Sequence, residues 1–72
     1  MADEIYGILK ITEMDNKVIK VYVKDEKGII IIDNLDEVNE ITEKMNKEQA
    51  VNLMTCKQYF RVVDYVTGSF TN

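Results

Sequence analysis

The chain has no histidine, no proline, one cysteine and three glycines, and its longest unbroken apolar run is Ile29–Ile32. Each absence removes a class of chemistry. Without histidine the commonest general base at neutral pH is missing, and with it any Ser-His or Cys-His nucleophile pair. The single serine, Ser69, lies close to the end of the sequence. A lone cysteine forms no internal disulfide, and without histidine it builds none of the usual zinc frameworks. Cys56 has only Lys57 as a nearby cation and reads as an incidental thiol at a helix-to-strand junction. Gly7, Gly28 and Gly68 are too scattered to cradle a phosphate. A run of four isoleucines falls far short of the roughly 18 residues of a membrane span. The acidic start, Met1-Ala2-Asp3-Glu4, is unlike the basic beginning of a secretory signal. These features predict a cytoplasmic, non-catalytic chain with no cofactor, no metal, no membrane association and no evident small-molecule substrate.

In bulk the 72 residues are close to globular averages, with 46% hydrophobic and 31% charged side chains, which argues against disorder. A chain of this size buries about 60% of its surface on folding, enough for one core but not for a deep enclosed active site as well. No proline, Ser/Gly-rich stretch or repeat marks a linker. A single domain is expected over residues 1–67, followed by a tail at 68–72 that Phe70 is able to dock. Isoleucine, lysine and asparagine make up nearly a third of the chain. AT-rich genes favour that set, which suits a low-GC bacterium, its phage or an archaeon.

The first half alternates as strands do. In the first strand Ile5, Gly7, Leu9 and Ile11 oppose Tyr6, Ile8, Lys10 and Thr12; in the second Ile19, Val21 and Val23 oppose Val18, Lys20, Tyr22 and Lys24. A two-residue loop at Asp15-Asn16 sets Ile11 opposite Lys20 and mixes the faces. A three-residue loop pairs Ile11 with Ile19 and Leu9 with Val21, keeps one face apolar, and leaves Asn16 in the left-handed conformation. The three-residue hairpin is therefore expected. A second turn at Asp25-Glu26-Lys27-Gly28 precedes the third strand, with Asp25 opposite Ile29. That pairing puts Ile31 on the core side and Ile30 and Ile32 beside Tyr22. Such a strand needs a cover, whether a neighbouring strand, the Phe70 tail or a second molecule.

Asn34, three residues before Glu37, caps a helix whose first turn carries Asp36 and Glu37. Leu35, Val38, Ile41 and Met45 form its apolar stripe. The stripe rotates at Ala50, Leu53 and Met54, so a break near Asn46-Lys47 is favoured over one straight helix. A last strand is expected from Tyr59 to Thr67. It is parallel to the third strand if the helix is single and antiparallel if the helix is broken. The class is α+β: a small, mostly antiparallel four-stranded sheet in β-β-β-α-β order with the helix on one face.

Function follows from strand parity. One face collects Ile5, Leu9, Ile11, Ile19, Val21, Val23, Ile29, Ile31, Phe60, Val62 and Val66, against which the helix packs. The other collects Tyr6, Tyr22, Tyr59 and Tyr65 with Lys10, Lys20, Lys24 and Arg61, interleaved with Ile8, Val18, Ile30, Ile32 and Val63. The net charge of −4 then hides a basic, aromatic sheet face and an acidic helix. Tyrosine and arginine are enriched in contact surfaces, and this face carries more apolar area than a wet face needs. A small interaction module is expected, binding a protein partner or a copy of itself through Tyr6, Lys10, Lys20, Tyr22, Lys24, Ile30, Ile32, Tyr59, Arg61 and Tyr65. A bland alternative treats the face as solvated, with lysine stems covering the rings. Single-stranded nucleic acid is the next reading, bases stacking on tyrosines and phosphates meeting the cations, although the net negative charge opposes it. A further reading uses Asp36, Glu37, Glu40 and Glu43 as an imitation phosphate row, in the manner of small acidic inhibitors from phages and mobile elements. The same carboxylates lack the oxygen spacing of a calcium loop, and Lys44 gives them the mixed charge of a solvated helix face.

Overall fold

Two consecutive residues with positive φ, Asp15 (45°) and Asn16 (68°), turn the chain back after its first strand. Asp and Asn accept this conformation more readily than most residues, and the resulting two-residue turn matches the natural twist of the strands it joins. The computed structural model describes residues 4–71. The chain runs β1 (Tyr6–Met14), β2 (Lys17–Tyr22), β3 (Lys24–Asp25), β4 (Gly28–Ile29), α1 (Leu35–Gln49), β5 (Val51–Asn52) and β6 (Cys56–Asp64). An antiparallel four-stranded sheet in the order β2-β1-β6-β5, with α1 packed on one face, makes the α+β fold expected from the sequence. The fourth strand of that sheet is β5. The predicted third strand has become the separate ribbon β3-β4.

The hairpin register differs from the expected one. Met14 pairs with Lys17, Ile11 with Lys20 and Leu9 with Tyr22; the two-residue loop wins and shifts the pairing by one residue. Such a shift exchanges the faces of one strand relative to the other. It is tolerated here because β1 is buried on both sides. Tyr6 and Ile8 point to α1, where they pack with Val38, Phe60 and Val62. Leu9 and Ile11 point away from it and pack with Val63 under Tyr22 and Tyr59. Parity assumes one dry and one wet face, whereas a doubly covered strand reads as a nearly continuous apolar run.

The four isoleucines are likewise displaced. In the ribbon Asp25 pairs with Gly28 and Lys24 with Ile29, a two-residue turn in which Gly28 takes a φ of 121° that a side chain would resist. The chain then returns to the sheet. Ile32 exchanges two hydrogen bonds with Tyr6 (2.7 and 2.9 Å) and packs against the α1-side core, while Ile31 is exposed. Of the covers expected for this segment, Ile32 thus finds a neighbouring strand, the start of β1.

The Asn34 side chain caps α1, accepting from the Glu37 N–H at 2.9 Å. The helix lies over β1 and β6, with Val38 and Thr42 buried and Ile41 and Met45 half-buried. Leu35, expected in the stripe, is exposed. No break occurs near Asn46: the helix continues to Gln49 and ends at Ala50 in extended conformation. The rotated stripe marked the end of the helix, with Leu53 and Met54 exposed in the turn beyond β5. The last strand is antiparallel to β1, so neither predicted pairing with a third strand is made. It ends at Asp64, and Val66, expected in the core, is 75% exposed in the following turn.

Asn46 has a different task from helix capping. Its Oδ1 accepts from the Phe60 N–H at 2.8 Å and its Nδ2 donates to the Phe60 carbonyl at 3.0 Å. This is the pair of bonds a neighbouring strand would make. On either side β6 is bordered by β5, through Val51–Gln58 and Asn52–Lys57, and by the tail, through the Val63–Phe70 bridge. The outer border of β6 is therefore closed by three different devices in succession.

Candidate interaction surface

Opposed residues in an antiparallel register share a face, so the pairings sort every candidate side chain. The face away from α1 carries Glu13 from β1, Val18, Lys20 and Tyr22 from β2, and Lys57, Tyr59, Arg61 and Val63 from β6. Tyr65, just past β6, joins it: its ring meets that of Tyr22 edge-on, with centroids 5.4 Å apart. Gly7 makes room for both. A Cβ there would come within 3.1 Å of Tyr22 Cε1 and 3.4 Å of Tyr65 Cδ1. Phe70 completes the layer, with the Arg61 guanidinium 3.9 Å and the Lys20 ammonium 5.4 Å from its ring centre. The rings and cations thus roof a floor of Leu9, Ile11 and Val63.

Of the sequence-predicted candidates, Lys20, Tyr22, Tyr59, Arg61 and Tyr65 come together on this face. Tyr6, Lys10 and Ile32 do not; β1 turns Tyr6 and Lys10 toward the helix side, opposite Asp64 and Phe60. Lys10 and Lys24 line a cleft of about 280 Å³ between β2 and the end of α1, together with Val21, Val23, Met45 and Phe60. Ile30 is half-buried where the ribbon rejoins the sheet, its N–H bonded to the Val23 carbonyl. Asp36, Glu37, Glu40 and Glu43 are all exposed on α1, with Lys44 and Lys47 on the same helix.

The face also holds an acid, Glu13, opposite Val18 on one side and Lys57 on the other. Tyr59 donates its hydroxyl to Glu13 Oε2 at 2.6 Å. That bond, together with burial and the Glu13 charge, raises the Tyr59 pKa above its ordinary value, while Arg61 acts in the opposite direction. The bond fixes the orientation of the Tyr59 ring. No family model, curated protein or solved structure matches the chain. The site is accordingly read from its own geometry.

Sequence reasoning offered Phe70 as a dock for the tail without counting it among the residues of this face, and it missed the border strand. β2 has β1 on one side and no strand on the other among the described residues. Val18, Ile19 and Val21 are 59%, 48% and 46% exposed, although β-branched residues of this kind usually pack against a neighbour. Beyond the hairpin tip, Met14 and Val18 meet Leu53 and Met54 across an open cleft of about 330 Å³. The available signal was the six-residue run Lys17–Tyr22 itself, which carries strong strand formers on both faces.

Proposed function

We propose that the chain is a non-catalytic interaction module that binds another protein through the face away from α1 and the β2 border of that face. The observation that carries this reading is the exposure of Val18, Ile19 and Val21 on a strand that, among the described residues, is bordered by a strand on one side only. Beside it lies a layer of tyrosine, phenylalanine and arginine, the residue types that dominate contact surfaces. Position-specific cross-linking in the cells that make the protein tests it. A photoreactive residue at Lys20 should yield protein adducts, while the same residue at Lys47, on the outer side of α1, should yield none. Adducts from Lys47 alone would transfer the function to the acidic helix. Adducts from neither would remove the proposal.

A second reading, single-stranded nucleic acid on the same face, is favoured by Lys20, Lys57 and Arg61 lying among Tyr22, Tyr59, Tyr65 and Phe70. The net charge of −4 counts against it. It predicts binding to labelled oligonucleotides that falls steeply as salt rises, and no binding at low salt would eliminate it.

A further inference from the structure

The hydrogen-bond phase of the hairpin shows which backbone groups of β2 face outward. The two-residue loop makes Met14 and Lys17 a hydrogen-bonded pair, and the Val23 N–H donates to the Ile8 carbonyl at 2.9 Å. Every second residue between them bonds inward to β1. Val18, Lys20 and Tyr22 therefore turn their N–H and C=O groups to the open border. Around that border cations predominate, and the one acid paired with the strand, Glu13 opposite Val18, already accepts the Tyr59 hydroxyl. Lys17 and Lys20 lie on the strand, Lys24 follows it, Lys10 pairs with Val21, and no acidic residue occurs between Asn16 and Lys24.

This charge pattern selects the occupant. In the two-fold register centred on Lys20, a second copy would set the two Lys20 side chains directly opposite each other. Centred on Ile19 or Val21, it would set them on diagonal neighbours, and like charges so placed oppose pairing. A strand with carboxylates on one face and β-branched side chains on the other has no such conflict. Its acids meet Lys20, and its apolar residues extend the row of Ile19 and Val21 on the α1 side. Resting on the reading above and narrowing it, we propose that β2 accepts an extended acidic segment of a different protein as a fifth strand of the sheet.

The test uses the full chain, amide NMR and two end-blocked octapeptides, one alternating valine with glutamate and the other valine with lysine. The glutamate peptide should shift the amides of Val18, Lys20 and Tyr22 and slow their exchange, while the lysine peptide should not. Lys20→Glu should weaken binding of the glutamate peptide by about tenfold. Val18→Pro removes one outward N–H without cutting the β1 ladder and should abolish binding while the β1 and β6 resonances stay in place. Equal binding of both peptides, silence at the β2 amides, or a peptide-free dimer with those amides protected would each overturn the inference. If the β2 amides are silent while Lys20 cross-links persist in cells, the edge inference fails and the broader face reading stands.

Discussion

The two long borders of the sheet are finished in opposite ways. Along β6, β5 covers Gln58, the Asn46 side chain covers Phe60, and the tail covers Val62 and Asp64 through Thr71 and Ser69. Along β2, the outward groups of Val18, Lys20 and Tyr22 meet no strand among the described residues. Natural sheets guard their edges against unwanted pairing, and this chain spends a short strand, an asparagine and a tail on one border alone. Among the described residues the other carries lysines in place of such a cover, Lys17 and Lys20 on the strand itself, and like charges set opposite each other disfavour pairing with a like strand. Stability is thus concentrated at β6 and accessibility at β2.

The contrast is sharpest in the core beside the closed border. Phe60→Ala, which empties a buried site under α1, should cost about 3–5 kcal/mol, enough to unfold much of a domain this small. Val21→Ala on the open border should cost below about 1 kcal/mol. Urea denaturation of the two variants measures the difference, and equal costs would show that β2 is as buried as β6. Asn46→Ala leaves the Phe60 N–H and C=O without their partners and should cost about 2 kcal/mol, with faster exchange at the Phe60 amide. Its counterpart on the other border, Lys20→Ala, should stay within about 0.5 kcal/mol.

Gly7→Ala probes the face between the borders. The added methyl meets Tyr22 and Tyr65, so the rings must yield, and a loss of about 1 kcal/mol with shifted ring resonances is expected. The smallest effect is alkaline. Tyr59 ionises later in the folded state than in the unfolded chain because its hydroxyl is bonded to Glu13. The stabilisation is complete below a pH of about 10 and is lost as pH rises through the raised folded value. Tyr59→Phe should lessen the alkaline decline, leaving the part due to Tyr6, whose pKa is raised in the same way by its bond to Glu4, and an unchanged pH profile would show that the Glu13 bond contributes nothing.

The sequence revealed the fold class, the Asn34 cap and the helix, because these depend on local chemistry and on a stripe with one buried side. It misled wherever a strand was buried on both sides. Leu9 and Ile11 were assigned to the helix side because they alternate with Lys10, yet the lysine lies on that side beside Phe60. The site was half legible for the same reason. The β2 and β6 candidates were sorted together, but those on β1 changed face with the register. The role of Asn46 was hidden altogether, since only the fold brings residue 60 within reach of it. Its one signal was a polar residue next to Met45 on the helix stripe, which had been read as the start of a second helix.

Amide hydrogen exchange on the monomeric protein tests the central contrast most directly. The Phe60 and Asp64 amides should exchange slowly, held by Asn46 and Ser69, while those of Val18, Lys20 and Tyr22 exchange at rates near those of open chain. Protection of the three β2 amides in the monomer would contradict the account, because it would mean that the border read as open is already closed.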